Sequence, residues 1–128
     1  MAKTTQITVS AESRPGVLAR VSETLARAGI NIVGVCAGEA AGRGKIRLVV
    51  SDPARARAAL TAARIRSGEE PALLLSLEDR PGALAEVAAK LAAARINIKC
   101  AYATTAGGGK AQAVVVVSNP EKAERALG

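Results

Sequence analysis

Histidine, phenylalanine and tryptophan are absent from this 128-residue chain, and Tyr102 is its one aromatic side chain. Without histidine there is no Ser-His or Cys-His nucleophile pair, no imidazole base, and none of the commonest metal ligand. Cysteine is scarce as well. Cys36 and Cys100 stand alone, with no CxxC spacing, whereas a structural zinc site normally needs four N or S ligands. In apolar strand surroundings each is expected to be a small buried side chain rather than a nucleophile. The sequence therefore predicts neither an enzyme nor a bound cofactor. No stretch approaches the roughly 20 uninterrupted apolar residues of a membrane-spanning helix. Met1 to Ser10 is short, polar and strand-like, unlike a secretory leader. A soluble protein in the reducing cytoplasm is the expectation.

What is abundant is small and aliphatic. Nearly half the residues are apolar, mostly Ala, Val, Leu and Ile, so the core must form without rings. Small aliphatic units bury little area per residue and gain by leaning on a partner surface. The net charge of +7 brings nucleic acid, anionic membranes and acidic small molecules into view. The Lys and Arg residues are nevertheless scattered singly, as on a solvated surface, and no basic tail is present. An RNA-recognition fold shares the strand and helix order derived below, but it stacks bases on sheet aromatics. Tyr102 alone does not make that platform, so neither specific nucleic-acid binding nor membrane binding is expected.

The chain repeats itself. Residues 12 to 32, ESRPGVLARVSETLARAGINI, return at an offset of 66 as residues 78 to 98, EDRPGALAEVAAKLAAARINI, with 13 of 21 positions identical. Gly44-Lys45 and Ser51-Asp52-Pro53 likewise return as Gly109-Lys110 and Ser118-Asn119-Pro120. The boundary falls near Ser67 to Pro71, where Gly68, two glutamates and a proline interrupt the pattern.

Periodicity places the elements. Thr5 to Ala11 alternates around Ile7 and Val9 as a half-buried strand, and Ala72 to Leu77 is its counterpart. Pro15 and Pro81 suit a first helical position, with Ser13 and Asp79 near the N-cap. Leu18, Val21 and Leu25, like Leu84, Val87 and Leu91, predict one apolar stripe per helix. Gly29 stands at a left-handed helix stop, where the second copy has Arg95 at a cost of about 1 kcal/mol. Strands are predicted at Ile32 to Ala37 and Lys45 to Val50, and at Ile98 to Thr104 and Ala111 to Val117, as hairpins over the Gly-rich segments Gly38 to Gly44 and Ala106 to Gly109. The run Gly107-Gly108-Gly109-Lys110 lacks phosphate-loop spacing and is followed by Ala111, so a hairpin turn explains it better. A second helix begins at Pro53 and at Pro120. The first copy has sequence for a fourth strand around Arg64 to Ser67. The second has none, so its sheet must be completed from the other half or another subunit, or expose an edge.

Strand, Arg-Pro-Gly turn, Leu-containing helix and Ile-Asn-Ile leading into a strand, found twice at one spacing, resemble the ACT domain, a small ligand-binding module. The resemblance covers most of the chain. It implies an α+β fold of two ferredoxin-like βαββαβ units with antiparallel sheets and helices on one face, residues 1–68 and 69–128, the second short of its last strand, paired side by side and expected to form a homodimer. It also implies that an amino-acid effector binds at an interface between ACT units. The carry-over places Ser13, Arg14, Pro15, Gly16, Val17 and Leu18 at the first site, and Asp79, Arg80, Pro81, Gly82, Ala83 and Leu84 at the second. Asn31 with Ile32, and Asn97 with Ile98, occupy the strand start where the family often sets an amide against the ligand. Chemistry agrees, because helix N-termini present unpaired N–H groups and partial positive charge to a carboxylate. Serine-sensing members carry a histidine three positions before the arginine and an asparagine just before it. Here Ala11 and Ser13, and Leu77 and Asp79, hold those positions, so serine specificity is not carried over. The expected partners are a free amino acid or similar small carboxylate, a second copy of the chain, and a separate enzyme to receive the signal. The rival expectation is an assembly module that docks on a partner enzyme without sensing anything.

Overall fold

In the computed structural model, which describes residues 2–128 apart from the Ala106 side chain, the order is β1 (Ala2–Glu12), α1 (Val17–Arg27), β2 (Ile32–Ala40), β3 (Arg43–Val50), α2 (Pro53–Ala62), β4 (Gly68–Glu78), α3 (Ala83–Ala93), β5 (Ile98–Gly107), β6 (Lys110–Val117) and α4 (Pro120–Leu127). These α+β elements fall into two compact units. One is Thr5–Glu70. The other joins residues 2–4 to Pro71–Gly128.

In the first unit β1 and β2 both pair antiparallel with β3, setting Ile7 opposite Leu48 and Val9 opposite Ile46. Alternation sends Ile7, Val9, Ile46, Leu48 and Val50 to one face, where they meet Val21 and Leu25 of α1 and Ala56 and Leu60 of α2. Residues 68–70 also belong here: Gln6 Nε2 donates to Glu70 Oε1 at 2.9 Å, and a Cβ on Gly68 would lie 3.1 Å from Thr8 Oγ1. The predicted strand at Arg64 to Ser67 is instead a turn and irregular chain, and the strand starts at Gly68. The reason lies at the end of α2. Arg64 takes a left-handed φ of 60°, and the Ile65 N–H returns to the Leu60 carbonyl at 2.8 Å, so these residues close a helix.

The second unit repeats the plan. β4 and β5 pair antiparallel with β6, and Leu73, Leu75, Ala113, Val115 and Val117 share a core with Leu91 and Ala123. Its missing strand sequence is supplied by the start of the chain, since residues 2–4 group with it. Lys3 Nζ lies 3.0 Å from Glu124 Oε1 of α4, and this hydrogen bond, with charge attraction, raises the Lys3 pKa above its ordinary value. A raised lysine pKa means the contact contributes fully at neutral pH and is lost only in strong alkali.

The first helix of each copy starts later than the prolines imply. Gly16 and Gly82 are the N-caps, with left-handed φ of 93° and 89°, and helix begins at Val17 and Ala83. Ser13 and Asp79 do not cap them. Their N–H groups reach the hairpin turns instead, at Gly42 O (3.0 Å) and Gly109 O (2.9 Å). The shift rotates the buried stripe. Val21 and Leu25 are buried, but Leu18 is 45% and Leu84 53% exposed, with half-buried Val17 and buried Ala83 facing inward in their place. Both hairpins are tighter than predicted, turning on Ala41-Gly42 and Gly108-Gly109. The second helices form as expected, Asp52 Oδ1 accepting from the Arg55 N–H and Asn119 Oδ1 from the Lys122 N–H, each at 3.1 Å.

Arg95 keeps the conformation of Gly29, with φ of 59° against 72°. In both, the next residue's N–H returns to a helix carbonyl, Ile30 to Leu25 at 3.0 Å and Ile96 to Leu91 at 2.9 Å. Those bonds, and the burial of Ile30 and Ile96, hold the strained turn. Arg95→Gly should therefore stabilise the protein by about 0.5–1 kcal/mol, read as a raised melting temperature. A fall in melting temperature would show that the arginine side chain does more than occupy the turn.

Candidate functional site

The two Arg-Pro-Gly turns link the end of a strand to a helix start that no side chain caps. The capped α2 and α4 show that this chain places Asp or Asn where an N-terminus needs closing. At α1 the carbonyl of the left-handed N-cap Gly16 accepts the first intrahelical bond, from the Arg20 N–H at 2.9 Å. The amides between them, those of Val17 to Ala19, stand in the first turn, where an α-helix has no intrahelical acceptor. A Cβ built on Gly16 meets nothing within 4 Å, so the site is open at its cap.

A cavity of about 450 Å³ lies against this turn, lined by Arg14, Pro15, Gly16 and Val17, by Arg20 of α1, and by the loop Arg64 to Arg66 that follows α2. A second, of about 310 Å³, opens on its other side beside Ser13, Leu18, Glu39 and Lys45, and there the Ser13 hydroxyl bonds the Glu39 carboxylate. Arg20 Nη2 donates to the Ala63 carbonyl at 2.6 Å and ties α1 to the end of α2.

The second turn has the same backbone but different electrostatics. Arg80, aligned with Arg14, gives Nη2 to both carboxylate oxygens of Glu86 at 3.0 Å, with Nε 3.9 Å from Glu78 Oε2. Glu86 occupies the position of Arg20 and sits in the first turn of α3.

Asn31 and Asn97 lie past the other end of their helices from the turns. An 11-residue helix rises about 16 Å, so within one copy the structure does not bring the asparagine to the Arg-Pro-Gly turn. Each asparagine backbone is clamped by a serine. The Asn31 N–H donates to Ser51 Oγ (3.0 Å) and the Ser51 N–H to the Asn31 carbonyl (2.9 Å), and Asn97 and Ser118 do the same at 3.2 and 3.0 Å. Both side chains are exposed, and among the described residues neither amide group has a protein partner. Ile32 packs against the first core, whereas Ile98 is 38% exposed. Arg20, Arg64 and Arg66 were not legible as site residues. The one available signal was the charge reversal of Arg20 against Glu86 between otherwise similar copies.

Two βαββαβ units, each with an uncapped, glycine-turned helix start, define a paired ferredoxin-like module. The chain belongs to the ACT domain pair family, which it matches over residues 2–127. A Bacteroides thetaiotaomicron protein of solved structure is 32% identical, with a TM-score of 0.90 over 98% of this chain and 86% of that one. The ligand-free regulatory subunit of aspartate kinase from Thermus thermophilus shares the fold at 19% identity, with a TM-score of 0.71 over 99% of this chain and 95% of that one. The corresponding Thermus flavus subunit does so at 21%, with 0.69 over 98% and 88%. No curated protein matches the sequence. Among the described residues no helix is long and apolar enough to cross a membrane.

Proposed function

We propose that this ACT pair is a non-catalytic regulatory protein that binds a free amino acid or similar small carboxylate where ACT units meet in a homodimer. The observation that carries the reading is the uncapped start of α1, its N–H groups beside a cavity of about 450 Å³. That volume falls in the usual range for small-molecule sites. Charge-assisted bonds from a few such amides contribute on the order of 1.5–3 kcal/mol each, enough for a metabolite sensor. The separation of turn from asparagine within a copy fits a site that draws Asn31 or Asn97 from a neighbouring molecule. Regulation then follows if the ligand favours one arrangement of the pair, with the signal passed to a separate enzyme. The Thermus relatives, regulatory subunits of a kinase, fit that division of labour.

A thermal-shift series over the twenty amino acids tests this directly, because a ligand selective for the folded state raises the melting temperature. At least one should do so at millimolar concentration, and silence from all twenty would overturn the reading. Asn31→Ala and Asn97→Ala should change stability by less than about 0.5 kcal/mol, since both side chains are exposed, yet weaken effector binding. Unchanged affinity in both variants would remove the asparagines from the site. The exposed apolar residues Leu18, Val33, Val35, Leu84 and Ile98 favour a second reading, an assembly module that docks on a partner enzyme. A dimer that no amino acid stabilises would support it.

A further inference from the structure

We infer that the cavity of the first copy takes a small ligand carrying at least two negative charges, and that the second copy has lost this capacity. The inference rests on the ligand-binding reading of the first Arg-Pro-Gly turn and names the charge class that turn selects.

Four arginines, Arg14, Arg20, Arg64 and Arg66, line the cavity, and none of its lining residues is acidic. They come from two stretches of chain more than forty residues apart, so the concentration of charge is a product of folding. Elsewhere Arg57 pairs with Glu69, Arg80 with Glu86 and Arg55 with the Ala28 carbonyl, while the other arginines stand singly on the surface; the cavity is distinguished by four arginines gathered without a lining carboxylate. Around the cavity only Arg20 has a partner, a carbonyl rather than a carboxylate. Among the described residues Arg14, Arg64 and Arg66 make no side-chain hydrogen bond or ion pair. Like charges gathered without counter-charge repel one another, and a bound anion relieves that repulsion. A single carboxylate satisfies the helix amides alone. A second anionic group is needed to engage the arginines of the loop after α2 as well, and planar guanidinium suits carboxylate or phosphate oxygens.

The second copy supplies an internal comparison. Its aligned arginine is neutralised by Glu86, which stands where the first copy has Arg20. Asp79 adds a negative charge where the first copy has the neutral Ser13, whereas Glu78 is matched by Glu12. One dianion per chain is therefore the expected stoichiometry.

Arg64 allows the binding role to be separated from any structural one. It sits at a φ of 60°, where glycine is less strained, so Arg64→Gly should raise the melting temperature of the unliganded protein while weakening anion binding. A residue kept only for structure would not show these opposed effects.

The test is isothermal titration of the full chain at near-physiological salt with inorganic pyrophosphate, succinate, leucine and a short single-stranded oligonucleotide. Pyrophosphate or succinate should bind one per chain and more tightly than leucine. Arg64→Gly and Arg66→Ala should each weaken that binding about tenfold, while the control pair Arg27→Ala and Lys90→Ala, which removes two charges elsewhere, leaves it unchanged. Equal weakening by the control pair, or tighter binding of the oligonucleotide that survives the Arg64 and Arg66 changes, would overturn the inference. If leucine or another amino acid binds and neither dianion does, the charge class falls while the sensor reading stands. If the dianions bind and no amino acid does, the amino-acid reading falls and this one stands.

Discussion

Leu25→Ala and Leu91→Ala should each lower the unfolding free energy by about 3 kcal/mol, the largest single-residue effects expected in this protein. The two leucines hold aligned positions in α1 and α3, both are 0% exposed, and each anchors the core of its own unit. Truncation removes the transfer energy of the lost carbons and leaves a void that the neighbours fill only in part. Those neighbours include the β-branched Val and Ile side chains of the two cores, whose stiffness at χ1 limits how far they move into the gap. Urea unfolding monitored by circular dichroism should show a lower midpoint at unchanged slope. Leu18→Ala and Leu84→Ala are the matched comparison, since both side chains are largely exposed and should cost less than about 1 kcal/mol. Equal losses at positions 18 and 25 would contradict the helix orientation described above.

Gln6→Leu should cost about 2 kcal/mol although it replaces a polar residue by an apolar one of similar size. Gln6 is fully buried and its amide donates to the Glu70 carboxylate, which is itself half-buried. Leucine fills the space but withdraws a donor from a carboxylate that water reaches poorly. Gln6→Glu should cost more at neutral pH, because two carboxylates then share the site. The introduced carboxyl would titrate above its unfolded value, through burial and the Glu70 charge. A raised carboxyl pKa destabilises above the unfolded pKa, so the penalty shrinks as pH falls toward about 4. Melting curves for both variants between neutral pH and that limit provide the measurement. A Gln6→Glu protein equally destabilised at all these pH values would refute the buried pairing.

Most of the fold was legible because its signals are local. The duplicated Arg-Pro-Gly turn, the Asp52 and Asn119 caps, the glycine hairpins and the alternation of Ile7 and Val9 each reflect demands that a few neighbouring residues impose on the backbone. Even so, placing Pro15 and Pro81 at the first helical position misjudged which leucines face inward. Moving the helix start to Val17 and Ala83 by the left-handed glycine turned Leu18 and Leu84 outward. In the site, the turn and its exposed amides could be read from spacing, whereas the loop after α2 carries Arg64 and Arg66 to the same cavity from nearly fifty residues away.

The sequence by itself determined that this is a duplicated aliphatic α+β protein, with two glycine-turned helix starts and without the side chains of His-based chemistry. Those properties depend on composition and on dihedral preferences of adjacent residues, which act before any long-range contact forms. Only the tertiary structure decided that residues 2–4 serve the second unit and 68–70 the first, that Gln6 is buried against Glu70, and that four arginines line one cavity. Such outcomes depend on which distant segments pack together, and a one-dimensional pattern with periods of two or 3.6 residues carries no term for that.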